Sequence, residues 1–301
     1  MKRQTWLVTG STGLVGRALT QLLLDQGQVV HTLDRKKRKR LSPDHHAFAW
    51  PKAPDSMDDA VAQGVDVVVH LAGASVGQRW THSHKEAILR SRVEGTTALM
   101  KALNEASFAG TILQASAIGL YEPSEHAMDE QGPTGSSFLA DVVRRWEQAA
   151  RDNQPQGSRL VFLRLGIVLA PKGGTLDKLA PIYRMGLGAP LASGRQWMSW
   201  IALDDVLRVM HWCVSQPSIR GAVNVVAPHP VRNADFSQSL AQAMKRPHLA
   251  PRVPGWALRS MFGEMASVML DSQRVTPSVL LKHGFQWTSP DLQETFERFF
   301  R

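Results

Sequence analysis

The chain has 301 residues, 43% of them apolar, which is enough for one large α/β domain or two modest ones with a full core, and no apolar run is long enough to cross a membrane. A single cysteine, Cys213, excludes an internal disulfide and a cysteine-based metal centre, and fits a reducing, cytoplasmic setting. The formal charge of +9 is local: the run RKKRKR at 35–40 holds six of the cations, and without it the balance is 9 − 6 = +3.

The opening residues MKRQTW lead straight into a strand pattern, with no secretory or transit signature. Residues 5–9 (TWLVT) read as a buried strand. Three glycines follow, Gly10, Gly13 and Gly16, and then Val15, Ala18, Leu19, Leu22 and Leu23 fall on one helical face. Gly27 is a stop signal, and 29–33 (VVHTL) form a second strand, completing a βαβ unit. A strand that ends in glycines and opens a helix is an anion site, because the helix start offers unpaired N–H groups and glycine lets a pyrophosphate approach without meeting a Cβ. Thr12, Leu14 and Val15 add contacts there, and Gly16 lets the helix lie close to the strand. Asp34 closes the second strand at the position expected of an acid that accepts the adenosine ribose hydroxyls. Arg35, with Lys36 and Lys37, would instead neutralise the 2′-phosphate of NADP. The balance favours NADP(H) over NAD(H). The basic run lacks aromatic interleaving and a recognition helix, so no nucleic-acid partner is expected.

His45–His46 and His82-x-His84 are the only close histidine groups. Without acidic or sulfur partners at ligand spacing they read as solvated loop or helix-start residues, and no metal site is expected. The βα alternation continues through strands at 65–73 and 111–116, helices at 82–104 and 137–152, and strands at 159–166 and 222–228. This predicts a doubly wound parallel Rossmann sheet. From residue 171 glycine and proline punctuate the chain, and short helices such as 233–245 and 291–300 take over. The expected division is a dinucleotide-binding domain at 1–170, joined by the strand at 222–228, and a smaller, mainly helical substrate-side region at 171–301.

The motifs TGSTGLVGRAL, VVVHLAG, SRVEGT, LRLGIVL and WIALDDV together resemble the extended short-chain dehydrogenase/reductases, which include nucleotide-sugar epimerases and dehydratases. The segments GQRWTHSHKEAILRSR, RWEQAA and GLGAPLASGRQWMSWI, with the tail from VPGWALRSMF to KHGFQW, look like the bacterial epimerase family proteins of uncharacterised activity. The resemblance implies a cofactor along Gly10 to Gly16, with Asp34 and Arg35 at its adenosine end and Leu71, Ala72 and Gly73 along its middle. It implies Ser116 near the nicotinamide, Leu165 and Gly166 bordering it, and substrate entering from the side of Gly186 to Trp200. Whether the tail at 251–287 closes the pocket or meets another chain stays open, and so does a homodimer.

The wider family transfers protons with a tyrosine and a lysine four residues later. A phenol has a pKa of about 10 and needs that neighbouring charge to act near neutrality. At the corresponding helix start this sequence has Phe138 and Val142, neither of which titrates. Another departure is Arg92, where the family usually has asparagine. Ser116 remains to orient a carbonyl, and Tyr121, five residues on, is the nearest phenol. Asp129, Glu130 and Asp141 are acids in the neighbourhood. Arg79, Trp80, Lys85, Arg90 and Arg92, with Arg195, Gln196 and Trp200 from the second region, are candidates for a pocket that holds a small polar or anionic carbonyl or sugar-type substrate. Asp204–Asp205 read as a helix N-cap. Two functions follow: an NADP(H)-dependent oxidoreductase or epimerase-like enzyme with a non-standard proton donor, or a catalytically weak dinucleotide-binding protein with a sensor or partner-binding role.

Overall fold

The computed structural model describes residues 3–51 and 57–301. In chain order its first half contains β1 (Thr5–Thr9), α1 (Leu14–Asp25), β2 (Val29–Asp34), β3 (His45–Ala49), β4 (Val67–His70), α2 (His82–Glu105), β5 (Thr111–Ala117), β6 (Ser124–Met128), α3 (Phe138–Asp152) and β7 (Arg159–Leu165). Then come β8 (Ile167–Leu169), α4 (Gly174–Arg184), β9 (Trp197–Met198), β10 (Trp200–Ala202), α5 (Leu203–Ser215), β11 (Gly221–Val225), β12 (Val231–Arg232) and α6 (Asn233–Ala243). The tail carries α7 (Gly255–Phe262), α8 (Ser267–Leu270), β13 (Gln273–Val275), α9 (Ser278–Lys282) and α10 (Leu292–Phe299).

Seven strands form one parallel sheet in the order β11-β7-β5-β4-β1-β2-β3. The order reverses between β1 and β4, which places the crevice of a doubly wound sheet above their carboxyl ends. The strands read as unbroken apolar runs because helices cover both faces. Alternation divides them: Trp6 and Val8 of β1, and Val67 and Val69 of β4, pack with Leu19, Leu23, Val206 and Met210 of α1 and α5. Leu7 and Val68 point the other way, to Leu99 and Leu103 of α2. The strand at 221–225 does return to the main sheet, parallel to β7.

β3 is the strand that sequence reasoning missed. HHAFA has no apolar run, yet it pairs with β2, and His45 is completely buried rather than solvated. Its Nδ1 accepts from the Leu41 N–H at 3.0 Å, so the proton sits on Nε2, 2.9 Å from Thr32 Oγ1. Burial pushes the His45 pKa down, and its hydrogen bonds suit the neutral ring.

The later chain is not a separate appendage. Leu280 and Phe285 of the tail pack into the same core cluster as β1. Phe296 of α10 joins Trp200, Phe236 and Tyr183 in another. β13 adds itself in parallel to β6, which fixes the tail over the end of the main sheet. No helix among the described residues is long and apolar enough to cross a membrane.

Candidate active site

The three glycines of the first turn serve different physical ends. Gly10 has φ +69°, and a Cβ there would lie 3.0 Å from the Leu71 and Ala72 backbone, so it lets the loops after β1 and β4 touch. A Cβ on Gly16 would strike the Gly10 carbonyl and come within 2.9 Å of Ser11 Cα, so glycine there sets the helix against the turn. Gly13 is under neither constraint. Its φ is −72°, and its Cβ would meet only the Gly10 oxygen at 3.4 Å, an ordinary contact. Gly13 is also the N-cap of α1, with no side chain capping the helix and no acid in its first turn. Space and amide hydrogens are thus left open where a diphosphate would lie.

Around this turn Thr9 Oγ1 accepts from the N–H groups of Leu71 and Ala72 at 3.2 and 3.1 Å, holding the 71–73 segment alongside. Asp34 is buried at the end of β2 and accepts from Ser11 Oγ at 2.5 Å. Sequence reasoning singled out Arg35. Arg35 is exposed, and the guanidinium that reaches back to the turn belongs to Arg38, donating to Ser11 Oγ at 3.2 Å. Thr12 is exposed, and Leu14 and Val15 open α1 at the groove. Gly73 lies over the Arg92 side chain, 3.1 Å from its Cζ to a Cβ built there.

Ser116 requires a correction. Its hydroxyl is buried and donates to Glu147 Oε1 at 2.7 Å, turned away from the cleft by the alternation of β5. Glu147 also takes Arg164 in a two-pronged pair, Nε to Oε1 at 2.9 Å and Nη2 to Oε2 at 3.0 Å. Burial alone would raise the Glu147 carboxyl, but the Arg164 hydrogen bonds and charge hold it below the usual range. Tyr121 is corrected too. Its hydroxyl donates to Asn224 Oδ1 at 2.6 Å and accepts from Arg164 Nη1 at 2.9 Å, and burial pushes its pKa up. A phenol so committed and so weakly acidic is a core brace, although its ring borders the cavity described below. Glu130 likewise ties elements together, accepting from the Asn224 and Val279 N–H groups at 3.0 and 3.1 Å. Asp129 is exposed.

The start of α3 shows the fate of the missing proton-transfer pair. Ser137 caps the helix through the Ala140 N–H at 3.2 Å. Phe138 then packs against Trp80 at 5.2 Å between ring centroids, under the Lys85 ammonium at 5.1 Å. Leu139, one residue on, is the side chain that lines the cavity, and the residue four beyond it is the buried Val143. In either register neither member titrates. Asp141 faces solvent with Arg144 and Arg145.

The expected anion pocket does not form. Arg92 is packed over the Trp146 ring at 4.9 Å and donates to the Ala74 and Ile88 carbonyls at 3.0 and 3.2 Å. Burial lowers its pKa to about 10. Trp200 is wholly buried, with its indole N–H on the His229 carbonyl at 3.1 Å. Gln196 is buried and bonded to the Leu191 and Met269 carbonyls, and Arg195 and Arg79 are exposed. Lys85 pairs with Glu264 of the tail. Arg90 is exposed on α2. Asp205 is not an N-cap: fully buried, it accepts from Thr288 and Ser289 N–H at 2.9 Å each and clamps that loop onto α5.

Beside the groove lies a cavity of about 460 Å³. Its floor is Ala117, Leu165 and Gly166 at the carboxyl ends of β5 and β7. A Cβ on Gly166 would come within 2.6 Å of the Ser199 carbonyl, so glycine lets the strands meet there. The walls come from α4, from 187–191 and from Trp197–Ser199, and the tail closes it with Val253 and residues of 267–273. The sequence had left the tail's role open. Among the described residues, no lysine or arginine lines it, and the only carboxyl group is that of Asp271. Burial raises the Asp271 pKa, opposed by the charge of Arg259. Nothing local in the sequence marks Asp271, since its surroundings come from segments far apart in the chain. Among the described residues no cluster of metal-ligating side chains forms.

Known proteins resemble this chain over nearly its whole length. The pattern of the NAD dependent epimerase/dehydratase family matches residues 6–226. A domain of unknown function, DUF1731, matches residues 253–299. The epimerase family protein Mb2239 of Mycobacterium bovis is 38% identical over 283 residues, covering 93% of this chain and 92% of its own. The crystal structure of human epimerase family protein SDR39U1 (isoform 2) with NADPH superposes with a TM-score of 0.87 at 31% identity, over 98% of both chains. That of the nucleoside-diphosphate sugar epimerase from Corynebacterium glutamicum does so with a TM-score of 0.78 at 32% identity, over 99% of this chain and 58% of that one.

Proposed function

This chain belongs to the NAD dependent epimerase/dehydratase family, and from that premise we propose that it is an NADP(H)-dependent oxidoreductase acting on a carbonyl compound or the matching alcohol. The observation that carries the cofactor half is Gly13, a glycine that neither its backbone angle nor any protein neighbour requires, at an uncapped helix start. NADP(H) rather than NAD(H) is supported by Arg38, which closes on the turn beside Asp34 while Ser11 holds that carboxylate, and by the NADPH in the human relative's structure.

When bound, the dinucleotide supplies or takes a hydride. The chain's own part is to hold the diphosphate on the amides of α1 and the middle of the cofactor against Leu71–Gly73. It keeps water from the substrate with apolar walls. Asp271, half-buried in the cavity wall with its pKa raised by burial, supplies the proton that a carbonyl oxygen gains on reduction. A second reading, a dinucleotide-binding protein with little turnover, is favoured by the apolar Leu139 and Val143 and by the sequestration of Ser116.

The test is a titration by nicotinamide fluorescence. Gly13→Val is expected to weaken NADPH binding by at least about tenfold, because its side chain fills the path of the diphosphate. Arg38→Ala is expected to bring NADPH affinity down toward that for NADH. Equal NADPH affinity in wild type and Gly13→Val would refute the cofactor assignment.

A further inference from the structure

The cavity wall is unlike a site for a nucleotide sugar. A nucleoside diphosphate brings two or more negative charges, and burying them demands arginine or lysine donors. Among the described residues none lines this cavity, and its one carboxyl group is that of Asp271. Arg259, whose charge reaches Asp271, is exposed on α7, and the two arginines beside Trp197 are occupied outside the cavity. Arg232 bonds Glu125 and stacks on Trp197 at 4.0 Å, and Arg274 stacks on the same indole at 4.6 Å and donates to the Glu125 carbonyl. Leucine, isoleucine, valine and methionine supply the largest share of the wall, Leu139, Leu179, Leu191 and Met198 among them. The apolar character continues outward: Ile182, Leu187 and Val268 line the cavity and are still 42%, 58% and 48% exposed. Two wall residues bury a polar atom without a partner, Trp197 Nε1 as a donor and Gln273 Oε1 as an acceptor. That is provision for one oxygen function, not for a sugar and a diphosphate.

We propose that the cavity receives a neutral, predominantly apolar carbonyl compound or its alcohol, and excludes nucleotide sugars. The inference rests on the cavity being the substrate compartment beside the dinucleotide groove. It replaces the polar or anionic substrate that the arginines of the sequence suggested.

The test uses the full-length protein without cofactor and the neutral fluorophore N-phenyl-1-naphthylamine. The fluorophore is expected to bind with enhanced emission and to be displaced by the methyl ketones 2-octanone, 2-decanone and 2-dodecanone, with affinity rising about fourfold for each added methylene. UDP-glucose and UDP-glucuronic acid are expected to displace nothing. The double variant Ile182→Lys, Val268→Lys changes two half-exposed positions of the mouth, and its fold is checked by circular dichroism. It is expected to weaken fluorophore binding at least about tenfold, by setting ammonium groups against apolar surface. Displacement by a UDP-sugar but not by the ketones would overturn the proposal. So would a flat ketone series, or unchanged binding in the folded double variant. NADPH titration of the wild type is run separately, so failure of the cofactor reading shows there and leaves the cavity result standing.

Discussion

Glu147 is the residue on which the interior behind the cleft depends. It is 2% exposed and faces an Arg164 side chain that is 8% exposed. Glu147→Leu would bury that guanidinium without a counter-charge, at a cost of about 3–5 kcal/mol in a urea unfolding curve. Ser116→Ala removes one neutral donor to the same carboxylate and is expected to cost about 1 kcal/mol, with NADPH affinity unchanged. A large loss of cofactor binding in Ser116→Ala would restore the serine to the site. These residues also show what a sequence conceals. Gly10, Gly13 and Gly16 were legible because their function lies in the backbone and in what a Cβ would strike. Ser116, Arg92 and Trp200 have chemically active side chains, but their direction is set by strand alternation and tertiary packing. Each points into the protein rather than into the cavity.

At the scale of elements, the long strands and helices followed from apolar periodicity. The short strands did not, since β3 is held by pairing with β2 and by histidine hydrogen bonds rather than by an apolar run. Joints between elements carry their own chemistry. Arg159 at the start of β7 sends Nη1 to the carbonyls of Cys213, Gln216 and Ile219 at 2.8, 3.0 and 3.0 Å, and Nη2 to Val214 at 3.1 Å. These are the carbonyls that the last turn of α5 and the connection to β11 leave without intrahelical partners, and a cation is the favoured partner at that helix end. Arg159→Met is expected to destabilise the fold by about 2–3 kcal/mol and to speed hydrogen exchange at the amides of 212–219 ahead of the rest of the sheet. Uniform exchange across the molecule would show that the arginine does not fasten this joint.

For the whole molecule, buried histidines set the response to acid. His70 is fully buried at the end of β4, between Thr9 Oγ1 at 2.6 Å and Thr96 Oγ1 at 3.1 Å. Burial, with the charge of Arg92 behind it, lowers its pKa from 6.5 to about 3. The unfolded chain takes up that proton below pH 6.5 and the folded chain refuses it until about 3, so stability falls as the pH drops through this window and returns as it rises. At pH 5 the loss from this one group is about 2 kcal/mol. His31 and His45, whose pKa values burial also lowers, push the same way. His70→Asn is expected to show a smaller drop in unfolding midpoint between pH 7.5 and pH 5 than the wild type, and an unaltered drop would place the acid sensitivity elsewhere.

The tail that pairs β13 with β6 also decides when the molecule becomes complete. The glycine turn at 10–16 and the Leu71–Gly73 segment beside it are encoded early in the chain. The roof of the neighbouring chamber is encoded at 253–273, near the carboxyl end of the chain. A polypeptide still short of 253–273 therefore carries its glycine turn but no roof for that chamber, and the leucines and methionines there face the open until the last stretch docks.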